Sequence, residues 1–228
     1  MIKDKLTNLY ENVFERIKIA DGLVPLFIRL IIAPVMIIAG YNKLGMSSEG
    51  LTFIESLLAD PNVVSWFGNS EWGLGLPFPD LLAFLAGWSE FLGGWFLLLG
   101  LLTRIVAIPL MFTMIIAATS VHWDNGWYSV APSNSATSPT LFFQWLGFEQ
   151  AEQSAQNSVE VKQRLNEVKH LIKNSENPDW VGEKGSVVIL QNGIEFSVIY
   201  FLLLLSLFFS GGGRFVSLDY WFKKTLFK

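Results

Sequence analysis

The stretch LLAFLAGWSEFLGGWFLLLGLLTRIVAIPLMFTMIIAATSV, residues 81–121, decides the fold. Two apolar runs, 81–102 and 105–121, are separated only by Thr103-Arg104. Each run is about the ~20 helical residues that cross ~30 Å of hydrocarbon. A two-residue connection makes them an antiparallel hairpin. Working outward, two more apolar runs reach spanning length, 23–39 before the hairpin and 187–209 after it. The fold expected is therefore an all-α membrane protein, a four-helix transmembrane bundle.

Composition agrees. Apolar residues make up 51% of the 228, and charged residues 16%, against about 25% in soluble domains. The net charge of −4 offers no basic surface for nucleic acid. The absence of Cys excludes disulfides and thiolate metal sites, and two histidines, His122 and His170, do not make a multi-histidine metal centre. No P-loop, dinucleotide fingerprint, HExxH or nucleophile elbow is present. The first 22 residues do not read as a secretory signal, because the apolar run starts late, runs long and lacks a small-residue exit.

Orientation follows from Lys and Arg near the span ends. Lys3, Lys5, Arg16 and Lys18 precede the first span, Arg104 sits in the tight turn, and Arg214, Lys223, Lys224 and Lys228 follow the last. The loop 40–80 has only Lys43 against five acids, and the loop 122–186 has five basic residues against eight acids. Both termini are expected to be cytoplasmic and both long loops periplasmic, in a bacterial inner (plasma) membrane. The organisation expected is an amphipathic arm 1–22, a membrane domain 23–210 and a cytoplasmic tail 211–228. The arm carries apolar residues at Leu6, Leu9, Val13 and Ile17. In the second loop Val161, Leu165, Val168 and Ile172 predict a periplasmic amphipathic helix over 158–174. It is expected to pack on the bundle mouth or a partner, or to lie on the membrane surface.

Charges inside a span are costly and usually pair or line a site. Three fall here: Arg29, Glu90 and Glu195. Counting ~1.5 Å per residue from the outer span ends puts them roughly 15, 14 and 12 Å deep. A common polar cluster is the expectation. One Arg neutralises one carboxylate, so Glu90 and Glu195 are expected to share a proton beside it. Ala86, Gly93, Gly94 and Leu97 mark the inward face of Glu90. Above the trio, Lys43, His122, Asp124 and Asn192 are candidate substrate-binding residues at the outer mouth, with His122 as a proton carrier or an interfacial anchor. The buried charges themselves fit a proton or substrate site, or an ion pair that only fixes helix packing.

These residues carry a family likeness. Ile28-Arg29-Leu30, Ala39-Gly40-Tyr41-Asn42-Lys43-Leu44, Glu90 with Gly93-Gly94, Leu98 to Arg104, Asn192-Gly193-Ile194-Glu195 and the tail Gly211 to Asp219 stand in order along the chain. Together they resemble the DoxX family of small four-span membrane proteins, which includes small subunits of thiosulfate:quinone oxidoreductase. The resemblance implies a subunit of a quinone-linked oxidoreductase complex. Arg29, Glu90 and Glu195 would be its proton or quinone site, quinone its non-covalent cofactor, and a protein redox partner its electron source. A homo-oligomer is compatible with it. The second loop is longer than in the compact family form, and no axial histidine pair within the spans can hold haem. The alternative is a non-enzymatic carrier or assembly scaffold.

Overall fold

The computed structural model describes residues 20–226. The N-terminal arm expected to be amphipathic lies outside the described residues. The longest apolar runs become long helices, with Pro34 and Pro109 inside two of them: α1 (Leu23–Lys43), α4 (Pro79–Leu99) and α5 (Thr103–Ile116), the last continuing as a π-turn to Val121. Between α1 and α4 lie two short helices, α2 (Phe53–Ser56) and α3 (Pro61–Gly68). After α5 come α6 (Thr140–Trp145), α7 (Glu149–Lys173), α8 (Pro178–Gly182), α9 (Glu195–Ser210) and α10 (Leu218–Leu226).

Among the described residues, three helices are long and apolar enough to cross a membrane: Leu23–Lys43, Pro79–Leu99 and Thr103–Val121. The fourth expected span is shorter than its apolar run. α9 has 16 residues, about 24 Å of helix. Residues 187–194 are not helical. Val130 and Leu190 form an antiparallel bridge, and Ala131 N donates to Ile189 O. Gly193 explains the break, because a Cβ there would lie 2.5 Å from Gly126 O and 2.6 Å from Tyr128 O. Glu195 is therefore the first residue of a helix rather than one buried two turns down.

The chain divides into two units. One takes in the described residues up to Ser120 and those from Ser197 onward, and the other is Val121–Phe196. In the first, one buried cluster draws on α1 (Ile32, Ala33, Met36), α4 (Leu97), α5 (Val106, Leu110, Met114) and α9 (Leu204, Leu207). Outward positions such as Val35, Ile38, Leu85 and Ile108 stay exposed, as lipid-facing residues do.

The α1/α4 contact is made by small residues. A Cβ on Gly40 would meet Phe91 N at 2.2 Å and Gly87 O at 2.6 Å, and one on Gly94 would meet Ile37 N at 2.8 Å. Backbones this close are the usual device for packing helices where lipid supplies no hydrophobic drive. The contact also sets a stagger. Gly87, not Pro79, faces Lys43 at the end of α1, so α4 runs about two turns past α1.

The segment between them folds over that end. Asp60 caps α3, with Pro61 in the first turn, and is 6% exposed. Burial works against its charge. The bonds it accepts from Ser48 Oγ, Asn62 N (2.8 Å) and Val63 N (3.4 Å) together outweigh that and hold it below the usual carboxylate range. A depressed folded-state value means the contribution is complete above the unfolded value of about 4 and is lost as pH falls through the folded one. Protection factors of residues 44–68 are expected to hold from pH 7 to about 4.5 and to fall once the pH drops below the unfolded value of about 4. An unchanged protection factor at the lower pH would remove Asp60 from this role.

In the second unit, α7 starts nine residues earlier than the apolar periodicity predicts (149 against 158). Glu149 and Glu152 occupy its first turn, and His170 and Lys173 its last, matching the helix dipole. Val161 and Leu165 are buried with Ala131, and Val187 and Ile189 pack against them. The amphipathic stripe thus covers the unit's own extended segments.

Candidate functional site

Glu90 lies on the inward stripe of α4 with Ala83, Gly87, Gly93, Gly94 and Leu97, and is 3% exposed. Its carboxylate is paired with the Lys43 ammonium. Lys43 is the last residue of α1, and its side chain remains 27% exposed. Gly87, one turn from Glu90, leaves room for the Lys43 stem. A Cβ there would sit 3.4 Å from Lys43 Cβ and 2.8 Å from a Leu44 methyl. Leu44 is fully buried beside the pair, and Trp88 Nε1 donates to Leu57 O at 2.9 Å, tying the overlying segment to α4.

Arg29 does something else. Its guanidinium is 1% exposed and donates to backbone carbonyls of Gly212 (2.5 Å), Val216 (3.1 Å) and Leu98 (3.4 Å). Leu98 belongs to the last turn of α4, whose carbonyls have no helical partner. α4 ends in a Schellman turn, with Gly100 at φ +67°, Gly100 N bonding Leu97 O (3.0 Å) and Leu101 N bonding Phe96 O (2.8 Å). A Cβ on Gly100 would lie 2.2 Å from Arg29 Nη1. Asp219, a nearby carboxylate, accepts from Leu102 N (2.7 Å) and Thr103 N (2.9 Å). It thereby caps α5 from another part of the chain. The Gly-rich tail, the α4–α5 turn and the foot of α1 are one clamp closed on Arg29.

Arg29 and Glu90 are therefore not one cluster. The depth count assumes that spans begin level, whereas the stagger puts Arg29 at the α4–α5 end and Glu90 opposite the far end of α1. Glu90 has its own cation, so the premise that two carboxylates compete for one Arg no longer holds.

The remaining candidates belong to the second unit. Glu195 is half-buried and accepts from Ser129 N at 3.0 Å. Asn192 adopts φ +59°, and its carbonyl receives His122 Nδ1 (2.8 Å) and Asn125 Nδ2 (3.2 Å). His122 is thus committed through one ring nitrogen to holding this turn, as its donor. Asp124 is exposed in the adjoining 3₁₀ turn. Sequence reasoning missed Asp219, whose N-capping role spans 116 residues, and missed the Lys43–Glu90 pairing. The one signal for the latter was Gly87 between them.

Residues 24–123 match the family model described as DoxX. Over that stretch the chain is similar to the DoxX family. The DoxX match covers α1, α4 and α5 and so includes Arg29, Lys43, Glu90 and the Gly40, Gly87 and Gly94 contacts. α9 and the Gly-rich tail lie beyond it. No curated protein and no solved structure matches the chain.

Proposed function

We propose that this DoxX-family membrane protein is a subunit of a quinone-linked oxidoreductase complex and that Lys43 and Glu90 form its proton and quinone-headgroup site. The observation that carries the reading is a buried carboxylate in a span, held by a cation that keeps part of its side chain accessible. Intramembrane ionisable groups of this kind usually serve a site. The chemistry fits. A bound quinone supplies two-electron, two-proton redox chemistry. Lys43 has ammonium hydrogens beyond the one on Glu90 to donate to a carbonyl oxygen, and Glu90 Oε1 is an acceptor for a hydroxyl proton. Electrons come from a protein partner, since this chain has no thiol or haem-ligand pair.

The membrane arrangement belongs to the same reading. α1, α4, α5 and α9 cross a bacterial inner membrane as four spans, with both chain ends cytoplasmic. It is supported by the meeting of Gly22, before α1, with Arg214, after α9, and by Arg104, Arg214, Lys223 and Lys224 at that end. The packing alternative applies to Arg29, whose bonds all go to carbonyls of the clamp.

The test is purification with native lipids followed by extraction of bound quinone. Wild-type protein is expected to carry quinone and a co-purifying redox partner. Glu90→Gln is expected to carry about tenfold less quinone, the worth of a hydrogen bond to a charged group. Equal quinone content in the two proteins would refute the assignment.

A further inference from the structure

The end of the first unit where α4 turns into α5 and α9 gives way to α10 carries a cleft of about 470 Å³. Three cations line it: Arg104, Arg214 and Lys223. The carboxylate lining it, Asp219, has both oxygens engaged by Leu102 N and Thr103 N. Arg104 is steadied by Phe209 O at 3.0 Å. Arg214 is exposed, approaches Asp21 at 3.5 Å and lies over the Phe215 ring at 5.3 Å, and Lys223 has no ion pair among the described residues. An apolar groove of about 640 Å³ adjoins the cleft, sharing Leu102, Asp219 and Lys223 with it and adding Leu101, Phe222 and Leu226.

We infer that this end of the protein binds an anionic phospholipid, its phosphate in the cationic cleft and the start of an acyl chain in the apolar groove. This stands apart from the quinone reading. The cleft alone suits any phosphate. The adjoining groove selects an amphiphile, because a free ion gains nothing from Phe222 and Leu226. Position argues for lipid as well. The cleft lies at the ends of helices about 30 Å long, which is where headgroups sit. α10 bears exposed Trp221, Phe222 and Leu226 beside Lys223 and Lys224, the composition of an interfacial helix. Lys224 is not part of the site, for it lines neither the cleft nor the groove and lies over the Trp221 ring at 5.1 Å.

The full chain, purified in mild detergent, is offered equal amounts of phosphatidylglycerol and phosphatidylcholine with identical acyl chains. Native mass spectrometry then counts retained lipid. Phosphatidylglycerol is expected to be retained in excess, and each cation removed in Arg214→Gln and Lys223→Gln to lower that retention about fivefold. Lys224→Gln is expected to retain lipid as the wild type does. Equal retention of the two lipids would overturn the inference, as would a double variant that binds like wild type. So would inorganic phosphate that displaces the lipid at equal concentration, which would mark a plain phosphate site. If the double variant does not fold, Lys223→Gln alone decides, since this exposed side chain supports no fold contact. Unchanged retention there also overturns the inference.

Discussion

Arg29→Met is expected to destabilise the protein by about 3–5 kcal/mol, the largest loss of any single substitution considered. The size follows from what the guanidinium holds. Gly212 O, Val216 O and Leu98 O would be left facing a thioether, each an acceptor costing roughly 1–3 kcal/mol when buried without a donor. Asp219 would lose the positive charge beside it while still capping α5. The damage should be directional. The tail 211–219 is expected to become protease-sensitive first, before the α1/α4 contact fails, with a lowered melting temperature in detergent. Limited proteolysis with mass-spectrometric mapping reads this. A tail that stays protected in a protein melting like wild type would show that Arg29 is not the clamp.

The second large effect is at Gly40. Gly40→Ala places a methyl 2.2 Å from Phe91 N and 2.6 Å from Gly87 O, both backbone atoms that no rotamer change can move aside. Overpacking ordinarily costs about 1–3 kcal/mol, and with backbone on both sides the upper end of that range applies. Pushing α1 from α4 also withdraws Lys43 from Glu90, so lost stability and a disturbed ion pair should arrive together. Gly182→Ala is the control, since a Cβ there meets nothing within 4 Å. Thermal melts of the two variants in the same detergent check this. Equal melting temperatures would mean the helices are not in backbone contact there.

Much of this was legible in the sequence. The hairpin at Thr103-Arg104 was readable because an apolar run of spanning length lies on each side, with Glu90 the one charge in either. Three spans follow from length and hydropathy, and the structure extends α1 past Ala39 to Lys43. Val161 and Leu165 read as one apolar stripe, expected against the bundle mouth, a partner or the membrane surface, whereas Ala131, Val187 and Ile189 of the same unit pack on it. The fourth span was overread because hydropathy cannot tell an apolar helix from an apolar extended segment. Val187 to Leu190 score as membrane, yet Leu190 pairs with Val130 and Ile189 with Ala131. The level of Arg29 was misread for a different reason. Depth counted from span ends ignores register, and register here is set by Gly40, Gly87 and Gly94, whose meaning depends on which backbone they face. Asp219 was invisible as a cap because its partners lie 116 and 117 residues away.

The proposal is a division of labour: Arg29 holds the fold together, while Glu90 with Lys43 forms the proposed quinone site. Glu90→Gln tests it most directly, because the amide still accepts from Lys43, and Lys43 can turn its partly exposed ammonium to water. Melting temperature and bound quinone are measured on the same native-lipid preparation. The account predicts a melting temperature within a few degrees of wild type together with about tenfold less quinone. A variant that keeps its quinone, or one that loses stability as Arg29→Met does, would contradict it.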